Sequence, residues 1–156
     1  SLKDLKSNPY NFYIASFYGI KAVDIWFPYL KAHDADFTHA DLQKGEFSYS
    51  DFTRATFKAA NLTNADLGAS IFSGADFTGA NLYGAHLEDS NLQGCDLHTA
   101  YLKGAMLERA DLRSVKNIHK ALNLEASHFK DTKISPKDSP IFIANTRMFI
   151  FDDALN

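Results

Sequence analysis

Between Ala35 and Ser114 a phenylalanine or leucine stands at every fifth position, and a small residue stands two places before each. In fives the stretch reads ADFTH, ADLQK, GEFSY, SDFTR, ATFKA, ANLTN, ADLGA, SIFSG, ADFTG, ANLYG, AHLED, SNLQG, CDLHT, AYLKG, AMLER and ADLRS. A period of five is a multiple of neither the helical 3.6 nor the strand's 2, so the pattern predicts neither an amphipathic helix nor an ordinary alternating strand. It fits a square tube in which each unit makes one side and one corner and four units close a coil. The apolar centre of each unit then points inward. The small residue lies beside it, where a larger side chain would collide. Successive coils pair through their backbones at the strand spacing, which makes the sixteen units a rod of roughly 19 Å.

Taking every twentieth residue gives four internal ladders. They are Phe37, Phe57, Phe77 and Leu97; Leu42, Leu62, Leu82 and Leu102; Phe47, Leu67, Leu87 and Leu107; and Phe52, Phe72, Leu92 and Leu112. Each buried side chain contributes about 1.5 to 3 kcal/mol of transfer free energy, offset by the entropy of ordering its coil. A solenoid of this kind relies on neighbouring coils and needs its two ends covered.

With its small first residue, frequent Asp or Asn at the second and Leu or Phe at the third, the repeat resembles the pentapeptide repeat family, whose consensus is A-(D/N)-L-x-x. The resemblance covers residues 35–114 without a gap. It implies an all-β solenoid, a right-handed quadrilateral parallel β-helix. On function it implies three things of different kinds. One is a non-catalytic protein-interaction module or scaffold. A second is the Qnr-like role of mimicking B-form DNA, binding DNA gyrase and protecting it from quinolones. The third is a structural protein without a dedicated partner, as suspected for many cyanobacterial and plastid relatives.

The two ends are less regular. Before the repeat, Asn8 and Pro9 could open a helix running to about Phe27. Phe12, Phe17, Ala22 and Phe27 are nonetheless in phase with the repeat. Bulky Ile20, Ile25 and Leu30 occupy the small position there, so residues 1–34 are read as a cap, helical or a degenerate coil, with the helical or irregular form favoured. After Leu112 the phase slips by two residues over Val115–Ala121 and resumes at Leu124, Phe129 and Ile134. This predicts a bulged corner and a partial fifth coil over 115–136. Residues 137–156 are strongly apolar and read as a helical cap, with a hairpin as the rival form and a homodimer seam as the rival role.

Charge and composition narrow the chemistry. The chain has 156 residues, 22% of them charged, and a formal charge of −3, with no basic face for nucleic acid. The stretch Tyr10–Phe27 is broken by Lys21 and Asp24, too polar to cross a membrane. A soluble protein is expected, with the cytoplasm favoured. The chain opens on Ser1 rather than Met, compatible with a processed or engineered start. The single cysteine, Cys95, permits no internal disulfide.

Histidines 33, 39, 86, 98, 119 and 128 show no ligand spacing, so no metal and no cofactor are expected. Asp36, Asp76 and Asp96 line up on the first face. A carboxylate pair for acid–base catalysis is conceivable there, but solvated consensus aspartates on a convex rod are the favoured reading, and no catalytic residue is assigned. The same column is the acidic face that a DNA mimic would use. The repeat as a whole carries 11 acidic and 6 basic residues, a net −5. Against this polar habit, Tyr83, Tyr101 and Met106 form the candidate interaction patch, the tyrosines diagonal on the second face and Met106 round the corner. The partner expected is another protein.

Overall fold

Where each backbone N–H goes explains the repeat. The computed structural model describes residues 11–124, 127–138 and 140, and the unit from Ala35 to His39 shows the rule. Ala35 N–H donates to the Ala32 carbonyl across the preceding corner (3.2 Å), and Asp36 N–H donates to Ala15 on the coil before (2.9 Å). The N–H groups of Phe37 and His39 donate to Thr56 and Lys58 on the coil after, at 2.7 and 2.8 Å. Only Thr38 N–H remains, and the Asp36 carboxylate accepts it at 2.9 Å. With all five donors satisfied, coils stack without long strands. Neighbouring coils meet in single parallel bridges at every fifth residue, each to the residue twenty further on, from Asn11↔Lys31 to Asp96↔Lys116.

Corners are tight turns. Ala40 N–H closes onto the Phe37 carbonyl at 3.0 Å, and the fifth residue of the unit, His39, has φ of 58°. A positive φ at the third turn residue is what a type II turn requires. Glycine supplies it at Gly74 and Gly104, while Arg54, Thr99 and Arg109 adopt it despite their side chains.

Inside, none of the sixteen central residues is more than 4% exposed. Coil spacing sets the ring spacing: Phe17, Phe37, Phe57 and Phe77 stack at 4.8, 5.0 and 5.1 Å, within 10° of parallel. Adjacent sides of the square meet nearly at right angles, so Phe52 and Phe57 pack edge to face at 5.3 Å and 73°. Both arrangements suit the aromatic quadrupole.

The first residue of each unit leans towards the coil before, as shown by Cys95, whose thiol reaches the Phe72 carbonyl at 2.8 Å. Glycine at 45 matches the placement of the Phe47 ring, since a Cβ there would lie 2.3 Å from it and the ring would have to shift. At the corner after the third face, serines alter the scheme. Leu30 N–H donates to the Ser50 hydroxyl (2.9 Å), Ser50 N–H donates to the Ser70 hydroxyl (3.0 Å), and that hydroxyl donates to the Phe47 carbonyl (3.1 Å). Ser50 and Ser70 are buried, and their hydroxyls serve amides that other corners satisfy through the turn, whereas buried Ser90 keeps the turn, its N–H donating to the Leu87 carbonyl at 3.2 Å.

The helical or irregular cap favoured before the repeat does not form over residues 11–34. That stretch is a further coil in the same register, bridged at Asn11↔Lys31, Ser16↔Asp36, Lys21↔Asp41 and Trp26↔Glu46. The physical reason lies in the first position. Its size limit comes from the preceding coil, and no described coil lies below this one. Ile20 and Ile25 therefore sit at an open mouth lined with Phe12, Phe17, Phe27 and Leu30, while Phe17 stacks on Phe37 and continues the ladder. The helix start at Asn8 and Pro9 lies outside the described residues.

At the other end, a short 3₁₀ turn, Ile118–Lys120, adds one residue to the corner. The bridges become Tyr101↔Leu122, an offset of twenty-one, and then Met106↔His128 and Asp111↔Lys133, an offset of twenty-two. Only one of the two residues expected to be absorbed over Val115–Ala121 is therefore taken up there, and the second follows Leu122. Ile118, Leu124 and Phe129 are buried over the coil below. A second 3₁₀ turn spans Pro136–Asp138. The apolar tail, whether helix or hairpin, cap or dimer seam, lies outside the described residues.

Candidate interaction face

The second face carries, from coil to coil, Lys21, Asp41, Asn61, Asn81, Tyr101 and Leu122 at its bridge positions. The lower four are polar and the upper two are not. Tyr83, two residues beyond Asn81, is 43% exposed, and its ring stacks on that of Tyr101 with centroids 6.3 Å apart and planes 15° from parallel. Leu122, bridged to Tyr101, is 48% exposed and extends the apolar strip upward. Met106 stands on the next face, half-buried between His86 and His128 in its bridge column. The tyrosines and Leu122 thus share a face that Met106 flanks. Leu122 is absent from the sequence-derived patch because the extra residue at 117–121 hides its register; its alignment with Tyr101 requires knowing where the bulge sits.

The acidic column has a different occupation. Asp36, Asp76 and Asp96 each accept the N–H two residues on, from Thr38, Thr78 and His98, at 2.9 Å. Asp76 also pairs with Lys58 (3.1 Å), and Asp96 accepts the Asn117 amide (2.8 Å). The Thr38 hydroxyl and N–H hold the Asp36 carboxyl below its ordinary range. Asp76 is raised by partial burial, but the Thr78 and Lys58 bonds outweigh that and its net shift is also downward. These groups are engaged in keeping corners closed. The same bond recurs from Asp51, Asn61, Asp66, Asn81, Asn91 and Asp111.

Elsewhere on the surface, arginines clamp aspartates one coil away. Arg54 grips Asp34 and Arg109 grips Asp89, each through two bonds of 2.7 Å. Among the described residues, no group of three or more His, Cys, Asp or Glu side chains could hold a metal ion, and no helix is long and apolar enough to cross a membrane. Burial pushes the Cys95 thiol up to about 12, so it remains protonated.

Eight copies of the pentapeptide repeat profile match the sequence, over residues 33–68, 50–89, 60–98 and 80–116. The chain belongs to the pentapeptide repeat family. Its members form right-handed quadrilateral β-helices, which gives the tube its hand. No curated protein matches the chain. Among solved structures it is similar to a trypsin-treated form of QnrB1, a plasmid-mediated fluoroquinolone resistance protein, at 14% identity and TM-score 0.44, covering 91% of this chain and 89% of that one. It is similar to a pentapeptide repeat protein from the Arabidopsis thaliana thylakoid lumen at 20% identity and TM-score 0.47, covering 89% and 84%. A third is Rfr23 from the cyanobacterium Cyanothece, at 22% identity and TM-score 0.40, covering 93% and 95%. Scores this low carry no argument about function, and the family assignment rests on the repeat.

Proposed function

We propose that this pentapeptide repeat protein is a non-catalytic interaction module, a rigid rod whose second face binds another protein. The observation that supports this reading is the Tyr83–Tyr101 stack, Tyr83 exposed and Tyr101 half-buried, continued by exposed Leu122 on a face whose lower bridge positions are polar. Tyrosine supplies large, stiff contact area with a polar tip, and interfaces are enriched in it. Affinity capture compares the parent with a variant carrying Tyr83→Ala, Tyr101→Ala and Met106→Ala. The variant is expected to melt like the parent and to lose the parent's bound proteins. An unchanged set of captured proteins refutes this patch.

The gyrase-binding reading meets a difficulty in the charge distribution. Residues 34–97 carry 10 acidic and 3 basic residues, a net −7, whereas residues 98–133 carry 4 acidic and 7 basic, a net +3. A mimic of DNA needs one sign along its length, and this rod changes sign. Titrating the protein into a gyrase supercoiling assay, with and without ciprofloxacin, is expected to leave both supercoiling and drug action unchanged. Inhibition or drug protection at micromolar protein transfers the function to the acidic column.

A further inference from the structure

We propose that the upper part of the second face binds an acidic polypeptide segment anchored by apolar side chains. This deepens the interaction-module reading and rests on it. Tyr83, Tyr101 and Leu122 make a strip at two neighbouring positions of three successive coils, so an extended chain laid along the rod axis can meet them in turn. The basic residues beside the strip, like Lys116, Lys130 and Lys133 in the same upper part, differ from those that aspartates hold. Lys58, Arg54, Arg109 and Arg113 are tied to Asp76, Asp34, Asp89 and Asp111. Lys103 and Lys120 are exposed and form no ion pair among the described residues.

Lys103 follows Leu102 on the same face as Tyr101, and its carbonyl accepts the N–H of Gly84, which places it one coil above Tyr83. Lys120 ends the 3₁₀ turn two residues before Leu122. Both therefore sit in the region of net +3. Carboxylates flanking the apolar anchors of a partner would find cations that no internal aspartate has neutralised. A polyanion such as single-stranded nucleic acid is disfavoured, because a strand running down the rod enters the −7 region.

The test uses the full chain and three fluorescent probes read by anisotropy. One is a short peptide alternating Asp with Leu and Phe, the second is the same peptide with Lys for Asp, and the third is an oligothymidylate. Each is titrated against the parent, against Tyr101→Ala with Leu122→Ala, and against Lys103→Glu with Lys120→Glu. Leu122, Lys103 and Lys120 are exposed and Tyr101 is half-buried, and thermal melts establish that each variant is folded. The acidic peptide alone is expected to bind, more weakly as salt rises, and each double variant is expected to weaken it by about tenfold or more.

Equal binding of the lysine peptide or the oligothymidylate overturns the proposal, as does failure of the acidic peptide to bind. If the apolar variant loses binding and the charge variant does not, the interaction strip stands and the acidic partner falls. If binding persists in both variants, the second face is the wrong surface and the underlying reading falls with it.

Discussion

The second residue of the unit decides most at the residue scale. Asp or Asn there is the acceptor for the one amide that the stacked backbone leaves over, which gives the consensus a physical cause. Asp111 shows how strongly such a group is held. Partial burial alone would raise its carboxyl, but the bonds from Arg113 and Gln93 prevail and bring it down to about 2, against an ordinary 3.8. A carboxyl with a lowered folded pKa adds stability that is fully present above its unfolded value and is lost as pH falls towards the folded one. Acid is therefore expected to weaken the fold progressively between about pH 4 and pH 2, with Asp36, Asp51 and Asp76 contributing in the same direction. Urea melts of Asp111→Asn across this range are expected to show a shallower pH slope than the parent, and an identical slope contradicts the assignment.

Ser70 gives a second residue-scale prediction. Ser70→Ala leaves the Ser50 N–H without its acceptor inside the wall and is expected to cost about 1–3 kcal/mol by denaturant titration. For Cys95, a thiol reagent is expected to label the protein only at the rate of global opening, since the group is both buried and protonated.

The ladder decides at the scale of the element. Phe57 is fully buried and stacked between Phe37 and Phe77, so Phe57→Ala is expected to cost about 3–5 kcal/mol. Phe77→Asp goes further. An unpaired charge in that interior is expected to abolish the cooperative transition, and a variant that melts like the parent contradicts its inward placement.

The repeat was legible for a definite reason. Its period, its apolar centre and its small neighbour are all set by a single geometry repeated without interruption from Ala35 to Ser114. The first coil was less legible because Ile20, Ile25 and Leu30 break the size rule, and that rule lapses where no described coil lies below. Leu122 was hidden for the opposite reason: its environment depends on where one extra residue is absorbed, and no periodicity reports that. The function of the second aspartates was similarly invisible, since an exposed carboxylate and one that closes a turn look identical in sequence.

At the scale of the whole molecule, stability is close to a sum over coils and their interfaces. Removing residues 55–74, one full circuit, joins Arg54 to Ala75 in the same phase and leaves every remaining ladder continuous. This shortened chain is expected to unfold in one transition at a lower Tm. Removing one residue fewer puts every later centre out of phase, and a chain lacking only 55–73 is expected to show no cooperative transition by circular dichroism. Comparable melts for the two deletions would contradict the stacking scheme.

The enlarged circuit at the top bears on a hazard that any such tube faces. A stack of identical circuits has ends that match, and matching ends permit one molecule to continue another without limit. Among the described residues the lower circuits repeat every twenty residues, while the uppermost has taken in two more. Among the described residues the first and last circuits are no longer congruent, so these two circuits cannot pair with each other bridge for bridge. The irregularity that begins near Asn117 thus breaks the register by which identical circuits would continue one another.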